Sequence, residues 1–193
     1  MSELHHERLD GCHPLVRTKG HAAIAAAAAS GHRLFLVRSW SSYAEQMGIY
    51  QIGRTQNPAP AAWEETGRVR TKAKPGLSAH NVLTAANMPS AMAFDLIPID
   101  QDGRPLWIPA GPDGAPMETE EQNELRWLRT YGRRSVQIWE ELYRTFARFG
   151  LDALGDTWGA FLAWDKGHFE EPGWKLALGP LGLTLPGGEP KEA

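Results

Sequence analysis

Apolar positions along this chain follow either helical spacing or short extended runs. Residues 14–30 contain an alanine-rich stretch followed by glycine, which predicts a helix because alanine has the best helix propensity and glycine favours the C-terminal cap. The apolar run at 33–38 predicts a buried strand. Residues 39–53 then predict a second helix, with Ser41 or Ser42 available as its N-cap.

A second extended segment follows further along the chain. Residues 91–99 predict a strand, and Asp102-Gly103 after it is a hairpin-turn signal, so we expect an antiparallel pair. Residues 55–76 are rich in Pro, Ala and Gly, which predicts a loop bordering the functional site.

The longest amphipathic pattern lies in the second half of the chain, at 118–150. Thr119 and Gln122 have capping-box spacing, which predicts the start of a long helix, and Gly132 is expected to interrupt it. Four aromatic or aliphatic residues of this helix have core-facing spacing: Trp139, Leu142, Phe146 and Phe149. A short strand is predicted at 167–171.

Helices and antiparallel strands without a regular strand–helix–strand alternation indicate an α+β protein, with a small antiparallel sheet packed against helices. A chain of 193 residues is large enough for one domain with a sizeable core. We therefore expect a single domain over 1–193, with its core at about 9–171 and an irregular Pro- and Gly-rich tail at 172–193.

Composition and charge exclude several classes of protein. A formal charge of −3 without a clustered basic face argues against a nucleic-acid partner. No apolar run reaches the roughly 18 residues of a membrane span, and the N-terminus lacks the apolar region of a secretory signal. The single cysteine, Cys12, excludes an internal disulfide and fits a reducing compartment. We expect a monomer made in the cytoplasm without stable membrane insertion.

Two histidines and one aspartate are candidates for a metal site. Asp95 lies in the apolar run AMAFDLIPI, where a carboxylate is costly to bury unless a cation or hydrogen-bond donors receive it. His80 precedes it, and His168 follows far downstream. Three such ligands leave the fourth position of a tetrahedral zinc ion open to water, as a catalytic site requires.

Seven short pieces of sequence that contain these residues occur in order between about Leu9 and Glu170. They are Arg38-Ser39, Ala44-Glu45-Gln46, Ile49-Tyr50, Gly53-Arg54-Thr55, Ser78-x-His80, Ala93-x-Asp95 and Asp165-x-x-His168-Phe169-Glu170. With these pieces the sequence resembles the M15 family of zinc peptidases, the D-Ala-D-Ala carboxypeptidase and L-alanyl-D-glutamate peptidase group. It looks most like the small phage endolysins of that group.

The sequence departs from the family pattern at one place. Fourteen residues separate His80 from Asp95, whereas the family usually has a short link there. We interpret the difference as a loop inserted after His80, with the strand that carries Asp95 intact. Such an insertion could reshape the cleft.

The resemblance implies a single-domain Hedgehog/DD-peptidase-like fold that holds one zinc ion. The implied metal ligands are His80, Asp95 and His168. Asp165 matches the family's general base, which takes a proton from the attacking water and returns it to the leaving amine. Arg38 matches an arginine that binds a substrate carboxylate or the developing oxyanion, and Ser78 matches a substrate-contacting hydroxyl. The same donor set also accepts other divalent ions.

The function implied is that of a zinc metallopeptidase, an endolysin that hydrolyses the L-Ala–D-Glu bond of peptidoglycan stem peptides with a zinc-activated water. It would act on the cell wall of a lysing host after release from the cytoplasm, with access through a holin-like partner. One alternative is a D-Ala-D-Ala carboxypeptidase or dipeptidase. Another is a non-catalytic wall-binding or virion structural module, against which Asp165 argues because a binder needs no base.

Overall fold

The computed structural model describes residues 7–52, 54–58, 61–65, 74–103, 106, 137–153 and 167–186. The helices are α1 (Pro14–Ala29), α2 (Tyr43–Gln51), α3 (described over 137–148) and α4 (Trp174–Ala177). The strands are β1 (Arg33–Arg38), β2 (Arg54–Pro58), β3 (Ala61–Glu65), β4 (Leu83–Thr84), β5 (Ala93–Ile99), β6 (Asp152–Ala153), β7 (His168–Glu170) and β8 (Leu183–Thr184). Short 3-10 turns occupy Glu7–Gly11 and Ala79–Asn81.

The main sheet has four antiparallel strands in the order β1-β5-β7-β6. β5 lies inside this sheet and is buried over almost its whole length, because both of its edges are paired and both of its faces are covered. Two smaller two-stranded sheets join β2 to β3 and β4 to β8. The mixture of helices with a small antiparallel sheet confirms the α+β prediction.

Strand alternation divides the main sheet into a core face and a site face. Phe94 pairs with Phe169 across β5 and β7, and the next pair along, Asp95 with His168, points to the opposite side. Phe94 and Phe169 are fully buried, and the Phe169 ring lies 4.2 Å from that of Phe146 on α3, measured between centroids. The aromatic core therefore supports the two strands directly beneath the polar pair.

The core-facing residues predicted for α3 are confirmed. Trp139, Leu142 and Phe146 are buried, and Phe149 is half-buried against the same core. The predicted start of this helix at Thr119–Gln122 and its interruption at Gly132 lie outside the described residues.

The first three predicted elements form, with two differences: β1 is buried on one face only, since Phe35 and Val37 are about 40% exposed, and α2 is shorter than the predicted 39–53, at Tyr43–Gln51. Helix α1 and strand β1 agree with the predicted bounds to within one residue. Helix α2 begins after Ser42, whose hydroxyl accepts a hydrogen bond from the backbone N–H of Glu45 while the Glu45 carboxylate accepts one from the backbone N–H of Ser42. This capping box fixes where the helix starts.

The loop predicted at 55–76 is wrong in its first part. Residues Arg54–Pro58 and Ala61–Glu65 pair as the antiparallel strands β2 and β3. β2 belongs to a two-stranded sheet, so it is an edge strand, where Pro58 is tolerated because its missing N–H can face away from the partner strand. The Pro- and Ala-rich composition of this segment is therefore compatible with paired strands.

The tail predicted as irregular is also partly ordered. Trp174–Ala177 form a helical turn, and Leu183–Thr184 pair with β4. Trp174, Leu178 and Leu183 are buried, so apolar side chains hold this segment on the body of the protein in spite of its glycines.

The turn predicted at Asp102-Gly103 is present. Gly103 has a positive φ of 80° and donates its backbone N–H to the Asp100 carbonyl at 3.1 Å. Leu106 then donates to the Pro98 carbonyl at 2.8 Å, as expected for a chain that turns back along β5. Among the described helices, none is both long enough and apolar enough to cross a membrane.

The N-cap of α1 is a histidine, which makes the stability of this helix depend on pH. The His13 Nδ1 accepts a hydrogen bond from the backbone N–H of Leu15 at 3.3 Å, and partial burial lowers the pKa of His13 below its ordinary value of 6.5. A protonated Nδ1 cannot accept that bond, and a positive charge opposes the helix dipole. The folded state therefore binds fewer protons, so this contribution is present above pH 6.5 and is lost as the pH falls through the lowered pKa.

We expect the variant His13→Asn to remove this pH dependence, because asparagine caps helices without titrating. Urea unfolding should be measured from about pH 8 to about pH 5. The free energy of unfolding of the variant should exceed that of the wild-type protein only below pH 6.5, and by no more than the usual contribution of one N-cap, about 1 kcal/mol. Parallel stability curves for the two proteins would contradict the assignment.

Candidate metal centre

His80 is held in a rigid 3-10 turn. The Ser78 hydroxyl accepts the backbone N–H of His80 at 3.3 Å, and the Asn81 side-chain oxygen accepts the backbone N–H groups of Gly76 at 3.1 Å and Ser78 at 3.3 Å. The Asn81 amide also donates to the Ser41 carbonyl at 2.8 Å. His80 is 2% exposed, so the turn holds its imidazole in a buried position.

Asp95 and His168 reach the same place from the main sheet. They are direct cross-strand partners on β5 and β7, so their side chains project together from the site face. On the other side of β5, the pairing with β1 shifts between Leu36 and Arg38, which places Arg38 opposite Asp95. A bulge of this kind redirects a side chain, here the Arg38 guanidinium towards the Asp95 carboxylate.

Three potential ligand atoms face one another at the centre of this arrangement. The His80 Nε2, Asp95 Oδ1 and His168 Nδ1 atoms are separated pairwise by 3.1 Å. A tetrahedral zinc ion at about 2.0–2.1 Å from each ligand atom would separate them by about 3.3 Å. The three predicted ligands thus form one buried group that could hold a metal ion.

Each histidine has an acceptor on the side away from the cluster. The His80 Nδ1 lies against the Ser39 carbonyl, and the His168 Nε2 lies 3.0 Å from Glu170 Oε2. A neutral imidazole that donates from one nitrogen presents a lone pair on the other. When both rings are neutral with their protons on these outer nitrogens, their lone pairs are directed into the cluster, which is the tautomeric state that metal binding requires.

The third ligand is fixed in a similar way. The Arg38 Nε and Nη2 groups both donate to Asp95 Oδ2, at 2.9 and 2.6 Å, which leaves Oδ1 for the cluster. Burial would raise the pKa of Asp95, but positive charge and hydrogen bonds from His80 and His168, which act while their cluster-facing nitrogens carry protons in place of a metal ion, outweigh it and hold that pKa well below the ordinary 3.8. The carboxylate is therefore ionised, as a metal ligand must be.

The remaining predicted site residues fall into two groups. Arg38 is next to the cluster, with its guanidinium on Asp95, and Ser78 is 7% exposed, with its hydroxyl capping the His80 turn. Asp165 lies outside the described residues. The sequence reasoning missed Asn81, although Ser78 and Asn81 have the spacing of a capping box, which is the signal that could have identified it.

A groove of about 740 Å³ opens beside the cluster, between β1 and α2. Its apolar lining comes from Val37, Trp40, Gly48, Ile49 and Ile52, and its polar lining includes Arg38, Glu45 and Asp95. The Trp40 Nε1 is buried and has no hydrogen-bond partner among the described residues.

The sequence matches no family model and no curated protein. The inference of function therefore depends on the residues of the metal centre, on the groove beside it, and on the order of the motifs along the chain.

Proposed function

We propose that this chain is a zinc-dependent peptidoglycan peptidase of the M15 type with a Hedgehog/DD-peptidase-like fold. Its proposed substrate bond is the L-Ala–D-Glu bond of stem peptides, and its proposed role is that of an endolysin released onto the wall during host lysis. The observation that carries the proposal is the buried group of His80, Asp95 and His168, with its three ligand atoms 3.1 Å apart.

The donor set fits zinc in type and number. Two imidazole nitrogens and one carboxylate oxygen are common zinc ligands, and three protein ligands are typical of catalytic rather than structural sites. When bound, zinc would supply Lewis acidity that polarises a carbonyl and lowers the pKa of a water molecule. His80, Asp95 and His168 would hold the ion.

The other proposed residues have separate roles. Asp165 would accept the proton of the attacking water and return it to the leaving amine. Arg38 already uses its Nε and Nη2 groups on Asp95 Oδ2, so it aims the carboxylate. A guanidinium has more N–H groups than these two bonds use, and the others would donate to a substrate carboxylate or to the developing oxyanion. Ser78 positions His80, and its predicted contact with substrate remains part of the proposal.

The groove would bind the peptide on one side of the scissile bond. Asp95 belongs both to the metal cluster and to the lining of the groove, so a chain lying in the groove passes next to the cluster. The apolar lining suits short aliphatic side chains such as that of alanine.

Gly48 on α2 offers a direct test of the groove. A Cβ atom built at Gly48 meets nothing within 4 Å among the described residues, and Gly48 lines the groove, so we expect a leucine there to occupy part of the groove. We expect Gly48→Leu to lower kcat/KM by about 10- to 200-fold, the usual effect of misfit in an apolar pocket. The matched control is Gly179→Leu, at another open glycine, which should retain activity. Equal activity of both variants, with unchanged thermal stability, would exclude the groove from substrate binding.

The reaction itself is tested by digesting purified peptidoglycan with zinc-loaded protein, with and without a chelator, and analysing the products by mass spectrometry. Chelator-sensitive products with a free amino group on D-Glu would support the endopeptidase. Release of D-Ala would instead indicate a carboxypeptidase. No product from any wall type, with zinc bound and the protein folded, would overturn the enzyme proposal in favour of a binding module.

A further inference from the structure

We infer that Glu170 is a positioning residue of the metal centre, whose carboxylate fixes the ring tautomer of His168 and strengthens this histidine as a metal ligand. The inference rests on the proposed function only in that the cluster binds a metal ion. It concerns how the protein sets the affinity of that ion.

The geometry follows from the alternation of strand β7. His168 and Glu170 are two residues apart, so they share one face of the sheet, while Phe169 between them points into the core. On that face Glu170 Oε2 lies 3.0 Å from His168 Nε2. His168 Nδ1 also lies 3.1 Å from Asp95 Oδ1, so both ring nitrogens face a carboxylate, and Glu170 favours the tautomer that has the proton on Nε2 and the Nδ1 lone pair available to a metal ion.

The two histidines differ in the acceptor that orients them. His80 donates to a backbone carbonyl, that of Ser39, which is uncharged. His168 donates to a carboxylate, and hydrogen bonds to charged acceptors are roughly twice as strong as neutral ones. A carboxylate also increases the basicity of the ring. We therefore expect Glu170 to strengthen metal binding by His168 more than the Ser39 carbonyl strengthens metal binding by His80.

The adjacent carboxylate, Glu171, has a different task. Both of its oxygens accept hydrogen bonds from the Lys19 ammonium on α1, at 2.8 and 2.6 Å. Glu170 has no lysine or arginine partner among the described residues. Its side chain is 20% exposed, so its carboxylate is largely removed from solvent beside the His168 ring. Glu171 is therefore a matched control, a neighbouring glutamate with a structural ion pair away from the cluster.

The first experiment measures zinc affinity by competition with a chelator. Glu170→Ala should weaken zinc binding by about 10- to 100-fold, the usual effect of removing such an outer partner. Glu170→Gln keeps an acceptor oxygen without the charge and should give a smaller loss, whereas Glu171→Gln should bind zinc as the wild-type protein does. Wild-type affinity in Glu170→Ala would overturn the inference.

The second experiment measures the His168 tautomer in metal-free protein by nitrogen-15 NMR of the imidazole rings. The wild-type protein should carry more of the His168 proton on Nε2 than Glu170→Ala does, because Asp95 is the remaining carboxylate acceptor in the variant and the proton should move towards Nδ1, while the His80 tautomer stays the same. An unchanged His168 tautomer in the variant would overturn the role of Glu170 alone. A wild-type protein that binds no divalent ion would instead overturn the proposed function, and with it the role of Glu170 towards a metal.

Discussion

Replacing His168 with alanine is expected to remove stoichiometric zinc and to reduce peptidoglycan hydrolysis by about 100- to 10,000-fold. The cluster would keep only His80 and Asp95 as ligands, and two ligands do not complete the three-ligand set of a catalytic zinc site. The lost metal supplies several kcal/mol of transition-state stabilisation, and each 1.4 kcal/mol corresponds to about tenfold in rate. Zinc content is measured by elemental analysis of purified protein, and hydrolysis by the clearing of cell-wall suspensions.

The matched control for this variant is His32→Ala. His32 lies outside the cluster, with its Nε2 2.8 Å from Glu141 Oε2, so its loss should leave one zinc ion per chain and nearly full activity. Zinc also stabilises the folded state by mass action if it binds only that state. A chelator should therefore lower the melting temperature of wild-type protein and of His32→Ala, and have little effect on His168→Ala. Full zinc content in His168→Ala would exclude the proposed ligand set.

Local sequence was sufficient to predict the elements that carry the site. The bounds of β1 follow from one apolar run, and the position of Asp95 in a buried strand follows from the apolar residues around it. The short strand predicted at 167–171 is also present, as His168–Glu170. The resemblance then grouped residues that are distant in sequence, and the structure brings its three predicted ligands together.

Pairings between distant segments could not be predicted in this way. The tail forms β8 because Leu183 and Thr184 find partners on β4, about a hundred residues earlier, and nothing in the tail itself encodes that strand. The ion pair between Arg38 and Asp95 likewise depends on a bulge in β1. Edge pairings and bulges are properties of the assembled sheet, so periodicity along one segment does not show them.

The segment between His80 and Asp95 shows how pairings between distant residues support the candidate site. Its ends are closed by a hydrogen bond from the Met92 N–H to the Ala79 carbonyl at 2.8 Å, and Ser90 donates to Val82 at 2.9 Å. The residues between them turn back on themselves and pair with β8. The two candidate ligands are therefore held on fixed supports, and the chain between them is paired in a separate small sheet.

Replacing Asp165 with alanine is expected to lower kcat by about 100- to 10,000-fold while zinc binding is retained. This is the usual contribution of a general base, and Asp165 is proposed to move a proton without being a metal ligand. Rates are measured on purified stem peptides across a range of pH, with zinc content determined on the same samples. In the wild-type protein the rate should fall at low pH as the general base becomes protonated. The residual activity of the variant should not show this fall.

Asp10→Ala is the control for Asp165→Ala, because Asp10 forms an exposed ion pair with Arg17 at 3.4 Å, and such pairs contribute little to stability. Its rate and pH profile should match those of the wild-type protein. A fall in rate confined to Asp165→Ala, with zinc retained, separates catalysis from metal binding and rejects the non-catalytic module. Unchanged biological activity in Asp165→Ala would instead favour that module, because a protein that only binds the wall has no proton to transfer.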